Sequence, residues 1–429
     1  MKSVMFLRCL ARCGDDARFD LFHPLFACPR CGGLVDVDID FAAVPMRVTK
    51  RHRGLWAFKD WAAPDLEEED ITTLGEGDGS VVDIDPDTVL YDCGRQPTGS
   101  FKDLGMTVLV SFARAMKRRG RSVDVLLCAS TGDTSAALAA YGARAGIPVA
   151  VLVPRGKVSD VQLVQPQAHG ARVVGIDGDF DACMRVVQQL STRPGVYLAN
   201  SKNPLRLLGQ ATVAYDLVEQ LQSRPGAPTG RGPDFVFVPS GNLGNVAALF
   251  QGFSLLLAKG VITKMPRLVA CQADAANPLF VSSSSGFTHT QPQQAGETHA
   301  TAIRIGCPVS FPRARIALLQ SNGLVTSSSE PALLHAMATA DRQGLFVCPQ
   351  TAVALDGLAQ LRAKGVVQAG DLCAVIATAS GLKFAAQKAA FHAGTSVLGD
   401  LPLSSSTAAL RNPIRTADAD PSAVWEAIS

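Results

Sequence analysis

This sequence has no apolar run approaching the length of a membrane span, which excludes a transmembrane helix. Met1 to Leu7 holds only a very short apolar stretch with no evident cleavage site, so no signal peptide is expected. Charge of either sign is not in excess: the formal net value is +2. The global electrostatic footprint of a nucleic-acid binder is therefore missing. Two local basic clusters, Arg47 to Arg53 and Lys117, Arg118, Arg119 and Arg121, read as solvated faces. The second ends a helix, where cations suit the macrodipole. Charged residues make up 18% of the chain and apolar residues 47%, the balance of a well-packed globular protein. At 429 residues, two or three domains with a large core are expected.

Cysteine is present but too thinly spread for a disulfide scaffold, with eleven in the whole chain. Those in apolar settings, such as Cys128, Cys271 and Cys373, read as small buried residues. A cytoplasmic location is the default. Cys9, Cys13, Cys28 and Cys31 are different. The second pair forms a knuckle, Cys28-Pro29-Arg30-Cys31-Gly32-Gly33, and paired thiolates on such turns can close a tetrahedral structural zinc site. Free thiols are the alternative. Four thiolates leave no open coordination position, so bound zinc would be structural rather than catalytic.

Residues 46–95 read as irregular, with an acidic patch at Glu67 to Asp70. Beyond them strands and helices alternate. Strands are expected at Val123–Cys128, Val149–Val153, Ala171–Ile176, Tyr197–Asn200, Phe235–Val238, Leu268–Cys271 and Leu372–Thr378. Helices are expected at Ala136–Ala145, ended by Gly146 and Pro148, at Phe180–Leu190, and from Leu205 to Gln222. Pro225 to Pro233 is a linker. The rhythm argues for parallel α/β layers. The polar stretch Ser282 to Thr301 reads as either a surface loop or an active-site flap.

Four loops carry the chemistry. Lys102 follows the Pro/Gly/Ser turn Gln96-Pro97-Thr98-Gly99-Ser100-Phe101 and precedes a helix. A lysine so fixed is placed to form an imine with an aldehyde cofactor, although most lysines are solvated surface charges. Phe235 to Val238 runs into Pro239-Ser240-Gly241-Asn242-Leu243-Gly244-Asn245 and then an apolar helix. Small residues there let backbone N–H groups approach a phosphate, or merely allow packing. Ser130-Thr131-Gly132-Asp133-Thr134-Ser135 offers more hydroxyls at a helix start than capping requires, which suits a carboxylate. Asn200-Ser201-Lys202-Asn203-Pro204-Leu205-Arg206 could grip a second phosphate through charge-assisted bonds.

Together with Thr378-Ala379-Ser380-Gly381-Leu382-Lys383, these segments resemble the threonine synthase family, in its plant-type form, within the pyridoxal-phosphate (PLP) enzymes of fold type II. The resemblance covers roughly residues 90 to 390, with the motifs in family order. It implies an α/β, tryptophan synthase β-like fold: two open, twisted, parallel-rich sheet domains with PLP in the cleft and a small zinc-ribbon-like module at residues 1–45. The large domain would comprise 46–118 and 205–395, the small one 119–204, with an extension at 396–429. The resemblance implies that Lys102 binds PLP and shuttles protons, and that Gly241, Asn242, Leu243, Gly244 and Asn245 cradle its phosphate. Asp133 would stand near the ring 3-oxygen and Thr378 near the ring nitrogen. Ser130, Thr131 and Thr134 would receive the substrate carboxylate, and Ser201, Asn203 and Arg206 its phosphate. The implied reaction converts O-phospho-L-homoserine and water to L-threonine and phosphate, by γ-elimination and β-addition of water. No nucleic-acid or membrane partner is implied, and a homodimer is the default.

Three positions depart from the family. Ser380 stands where histidine is usual, Leu208 replaces a usual glutamate, and Leu74-Gly75-Glu76-Gly77 lacks the Thr-Pro expected soon after. A related enzyme acting on another phosphorylated amino acid, such as O-phosphoserine, is the alternative reading. A non-catalytic homologue is a third.

Overall fold

The computed structural model describes residues 4–14, 17–130, 132–156, 160–289, 291–396, 398–399 and 402–429. Among the described residues, three sheets organise the fold. The amino-terminal strands β1 (Met5–Cys9), β2 (Arg18–Phe19) and β3 (Val35–Ile39) form an antiparallel sheet in the order β2-β1-β3. Strands β4 (Ser80–Asp85) and β5 (Thr88–Asp92) form a hairpin on the edge of the largest sheet. A four-stranded parallel sheet follows, built from β6 (Val123–Ala129), β7 (Val149–Pro154), β8 (Arg172–Ile176) and β9 (Gly195–Leu198) in the order β8-β7-β6-β9. The last strands, β10 (Phe235–Pro239), β11 (Arg267–Ala273), β12 (Leu324–Ser328) and β13 (Cys373–Ala377), complete a six-stranded sheet in the order β12-β11-β10-β13-β5-β4. Its pairs are parallel except at the β4 edge.

The central strands β10 and β13 are buried at every position, as expected where helices cover both faces of a parallel sheet. The helix Lys102–Arg118 crosses the helix Leu205–Gln222 at two glycines. A Cβ on Gly209 would lie 1.7 Å from the Leu104 carbonyl oxygen, and one on Gly105 would lie 3.0 Å from that of Arg206. Only bare backbone permits this approach. It brings the first turns of the two helices, and with them Lys102 and Arg206, side by side.

The amino-terminal sheet is docked on the body by its own core residues. Met5, Leu7 and Val37 join the same apolar cluster as Phe112 and Leu208. Phe22 packs on Phe112 at 5.5 Å, and Phe26 sits edge-on to Tyr197 of β9 at 5.3 Å. Asp65 accepts the N–H groups of Val4 and Met5, and buried Lys259 donates to the Val44 carbonyl at 2.6 Å.

Several elements differ from the sequence reading. Residues 46–95 are not irregular throughout: Thr88–Asp92 is an almost fully buried strand, and acidic Ser80–Asp85 pairs with it at the exposed edge. The strand expected at Tyr197–Asn200 ends at Leu198, because the Asn200 side chain takes both backbone groups of Ala129, at 3.0 and 2.9 Å. The helix expected from Ala136 begins at Asp133. Arg118 is not merely solvated. It holds buried Asp70 through two bonds, at 2.9 and 2.7 Å, joining the basic cluster to the acidic patch. The Ser282–Thr301 stretch becomes buried towards its end, where His299 pairs with Glu330.

Candidate active site

The turn before Lys102 is held from three directions. Gln96 pairs with both backbone groups of Gly77, at 2.8 and 3.2 Å. Gly99 adopts φ +82°, which closes the turn with a 2.7 Å bond to the Gln96 carbonyl. Phe101 N–H donates to the Thr378 carbonyl at 2.9 Å and Ser380 N–H to that of Gly99 at 3.0 Å, zipping the turn onto the segment after β13. Asp103, one residue into the helix, accepts the N–H and hydroxyl of Thr98 at 3.0 and 2.9 Å. Burial pushes its carboxyl up to about 7.

Lys102 Nζ lies 3.7 Å from the Phe101 ring centroid. Burial, and then the Arg206 charge, lower this amine to about 7. Such a lysine is substantially neutral near neutral pH and therefore nucleophilic. Thr378 is buried, with its N–H on Thr351 Oγ1 at 3.2 Å and its hydroxyl 3.6 Å from Cys348 Sγ. Asp133 opens its helix and forms an ion pair with Lys383 at 3.1 Å. Lys383 also donates to the Thr98 carbonyl at 2.9 Å and to Gln165 Oε1 at 2.8 Å. One ammonium thus ties the segment after β13 to the Lys102 turn and to the four-stranded half of the molecule.

Two loops hold polar groups without a partner among the described residues. In the loop after β10, Leu243 takes φ +66° at the cap of the helix Gly244–Ala258. This left-handed conformation is uncommon for a branched residue and clusters at ligand clamps. A Cβ on Gly241 would meet Ile303 Cα at 2.8 Å. Asn242 Oδ1 accepts Val309 N–H at 3.4 Å. Both amide atoms of buried Asn245 lack a hydrogen-bond partner among the described residues. In the loop after β9, Arg206 is 3% exposed, its Nη1 has no partner among the described residues, and burial lowers its guanidinium to about 10. Asn203 is committed elsewhere: its amide bonds the Leu198 carbonyl at 2.9 Å and the Leu205 N–H at 3.0 Å. Ser201 is half-buried.

In the loop after β6, Ser130 Oγ accepts the N–H groups of Gly132 and Ser135, both at 3.3 Å, and Thr134 is half-buried. Thr131 lies outside the described residues. All these loops follow the carboxyl ends of parallel strands, where open α/β sheets bind ligands. Two cavities of about 480 and 680 Å³ lie elsewhere, near Arg411 and Thr407, and none of these residues lines them.

A buried polar atom without a partner costs free energy that a ligand can recover. Asn245 and Arg206 present such atoms, a helix start with bared backbone favours an anion, and Lys102 presents a partly neutral amine. This donor set fits pyridoxal phosphate. The family model described as "Pyridoxal-phosphate dependent enzyme" matches residues 85–379. The chain is 43% identical over 387 residues to threonine synthase 2, chloroplastic, of Arabidopsis thaliana, covering 84% of this chain and 74% of that one. It is 35% identical over 402 residues to threonine synthase of Methanocaldococcus jannaschii, covering 88% and 93%. The chain belongs to the threonine synthase family. Its fold is that of the fold type II enzymes of this family. Threonine synthase from Escherichia coli superposes with a TM-score of 0.72 at 22% identity over 99% of both chains, a likeness of fold.

Two departures from the family pattern have local structural accounts. The Ser380 hydroxyl accepts Leu382 N–H at 3.2 Å and caps the short turn Gly381–Phe384. Leu208 is buried in the main apolar cluster, where a carboxylate would need a partner. Sequence reasoning gave no part to Lys383, Asp103 or buried Glu76. Glu76 receives Trp56 Nε1 at 2.9 Å, Leu74 N–H at 2.9 Å and Tyr141 OH at 2.8 Å. The one available signal was their place inside the motifs, Asp103 beside Lys102 and Lys383 at the end of its segment.

The four thiols of the amino-terminal sheet lie together, with all Sγ atoms within 4.8 Å of one another. Tetrahedral zinc–thiolate geometry sets sulfur atoms about 3.8 Å apart, and the pairs Cys9–Cys31 and Cys13–Cys28 stand at 3.5 and 3.6 Å. The backbone N–H of Cys13 is the main cause that lowers Cys9 to about 6. The hydrogen bond with Cys28 pushes Cys13 up to about 12.

Proposed function

We propose that this chain converts O-phospho-L-homoserine and water into L-threonine and phosphate. One observation carries the reading: a buried amine held at about 7 stands beside a buried guanidinium whose Nη1 has no partner among the described residues. When bound, pyridoxal phosphate supplies an aldehyde for the substrate amine and an electron sink for negative charge developing at the α- and β-carbons. Lys102 Nζ would hold the cofactor between turnovers. Freed from it, the amine would take the α-proton and then a β-proton, and later return a proton to release threonine. Phosphate would leave from Cγ, a proton would be delivered to Cγ to make the methyl group, the oxygen of water would add at Cβ, and Cα would be reprotonated.

The remaining groups bind and orient. Backbone N–H groups of Gly241, Asn242, Leu243, Gly244 and Asn245 would receive the cofactor phosphate, with the Asn245 amide as a further donor. The Thr378 hydroxyl would meet the ring nitrogen as a neutral partner, leaving the electron sink moderate. Asp133 would stand by the ring oxygen, its charge offset by Lys383. Ser130, Thr131 and Thr134 would take the substrate carboxylate. Arg206 and Ser201 would grip the departing phosphate, and Asn203 would shape their loop. Preorganised donors of this kind stabilise charge as it develops on the leaving group.

We extend the reading to structural zinc on Cys9, Cys13, Cys28 and Cys31, expected as one zinc per chain by elemental analysis. The protein is read as a cytoplasmic homodimer, with neither nucleic acid nor membrane as partner. No described helix is long and apolar enough to cross a membrane. The deciding experiment measures phosphate release and threonine formation from O-phospho-L-homoserine by the PLP-loaded protein, with Lys102→Ala as control. Stoichiometric products, lost in the variant, are expected. Turnover of O-phosphoserine in preference would replace this substrate with the shorter one.

A further inference from the structure

Arg313, in the helix Phe311–Gln320, is 3% exposed and joins segments remote in sequence. Its Nη2 donates to the Val35 carbonyl of β3 at 2.6 Å and to the Lys202 carbonyl at 3.5 Å. Its Nη1 donates to the Ser201 carbonyl at 3.3 Å and to Ser310 Oγ at 3.2 Å. Its Nε stands 3.5 Å from the Asp36 carboxylate. Ser310 N–H in turn donates to the Asn242 carbonyl at 3.2 Å. One guanidinium therefore touches the four-cysteine sheet and the loop after β9, and reaches the loop after β10 through a single intervening residue.

A phosphate is repelled by carbonyl oxygens and held by N–H and O–H donors. A carbonyl bonded to Arg313 is fixed in direction and cannot turn towards an anion elsewhere. Val35, which receives the shortest of these bonds, is the register partner of Cys9 and packs in one apolar cluster with Cys9 and Cys28. Phe26, two residues before Cys28, leans on Tyr197 in the strand that leads into the same loop. The thiol cluster thus sets two anchors on one loop.

We propose that Arg313 is a positioning residue for the substrate phosphate, and that through it the four-cysteine sheet serves as the back wall of the Asn200–Arg206 loop. The inference rests on the assignment of that loop to the substrate phosphate. The hydrogen bonds and ion pair of the Arg313 guanidinium are all with the protein itself. It fixes the loop backbone from behind, so its loss should weaken the phosphate grip more than the chemistry.

The test uses the holoenzyme of wild type, Arg313→Met, Arg313→Lys and Phe26→Leu. KM for O-phospho-L-homoserine, kcat, the cofactor absorption band and the calorimetric Kd for inorganic phosphate are measured. In R313M, KM and the phosphate Kd are expected to rise about tenfold or more, as a misplaced binding group requires. The cofactor band is expected to stay near wild type, and kcat to fall by a smaller factor than KM rises. R313K and F26L should move KM and the phosphate Kd by a smaller factor. Unchanged phosphate Kd and KM alongside a lower Tm would reduce Arg313 to a structural tie and overturn the proposal. If R313M does not fold, unchanged constants in R313K and F26L overturn it equally. A wild-type holoenzyme inactive on this substrate would instead undo the reaction assignment itself.

Discussion

The two loops proposed to hold phosphates are built from opposite materials. The loop after β10 relies on backbone: a glycine where a Cβ would strike Ile303, a leucine at φ +66°, and a helix start. The loop after β9 relies on a charged side chain, Arg206, buried with an open N–H. Backbone donors have little freedom left to lose and suit a group that stays. A guanidinium makes stronger, charge-assisted bonds and suits a dianion that arrives as ester and departs as free phosphate. The division of labour is between permanence and turnover.

Lys102 is assigned the proton transfers themselves, so its removal should cost most. Lys102→Ala is expected to lower kcat by about 10⁴-fold or more, measured as phosphate release. Arg206→Met separates the loops: kcat/KM should fall by about 10²–10³-fold, while the cofactor absorption band persists. Loss of the band in this variant would break the comparison. Asn245→Ala is the converse. Cofactor affinity should fall about tenfold by titration of the cofactor-free protein, with KM for substrate unchanged at saturating cofactor.

A pH series sharpens the contrast between Lys102 and its neighbours. The amine is the reactive form, so the rate of PLP capture by cofactor-free protein should rise with pH through a midpoint at about 7 and level about one unit above it. Asp133 raises the Lys102 value and Lys383 lowers it. Lys383→Met should therefore move the midpoint up, Asp133→Asn should move it down, and the double variant should fall between. The smallest effect is expected at Ser380→His, which restores the residue usual in relatives. Because the Ser380 hydroxyl only caps a turn, kcat should change by less than about threefold.

The alternation of strands and helices was legible because parallel strands buried on both faces read as apolar runs, as at Phe235–Val238. Loops rich in glycine and hydroxyls marked where those strands feed helices. The β4–β5 hairpin was obscured by Asp83, Asp85 and Asp87, acidic residues at an exposed edge. Asn200 hid the end of β9, since a side chain that imitates a strand partner looks like any loop asparagine in sequence. The part played by Lys383 was not legible because its partner Thr98 lies 285 residues away. Arg313 was hidden likewise, reaching Val35 across 278 residues. A surface cation and a buried hub share one letter, and only the fold distinguishes them.

The close crossing at Leu104 and Gly209 makes Lys102 and Arg206 fittings on one rigid block. Sliding either helix would drive backbone into backbone. The backbone spacing between the residues that carry the amine and the guanidinium is therefore a fixed ruler. Such a ruler measures chain length: it sets how far a phosphate can sit from the carbon that loses its proton. A substrate one methylene shorter would fall short by about 1.3 Å, and a misplacement of that order costs about a hundredfold in rate. Under the proposed reaction, chain length joins charge as what the glycine crossing would select.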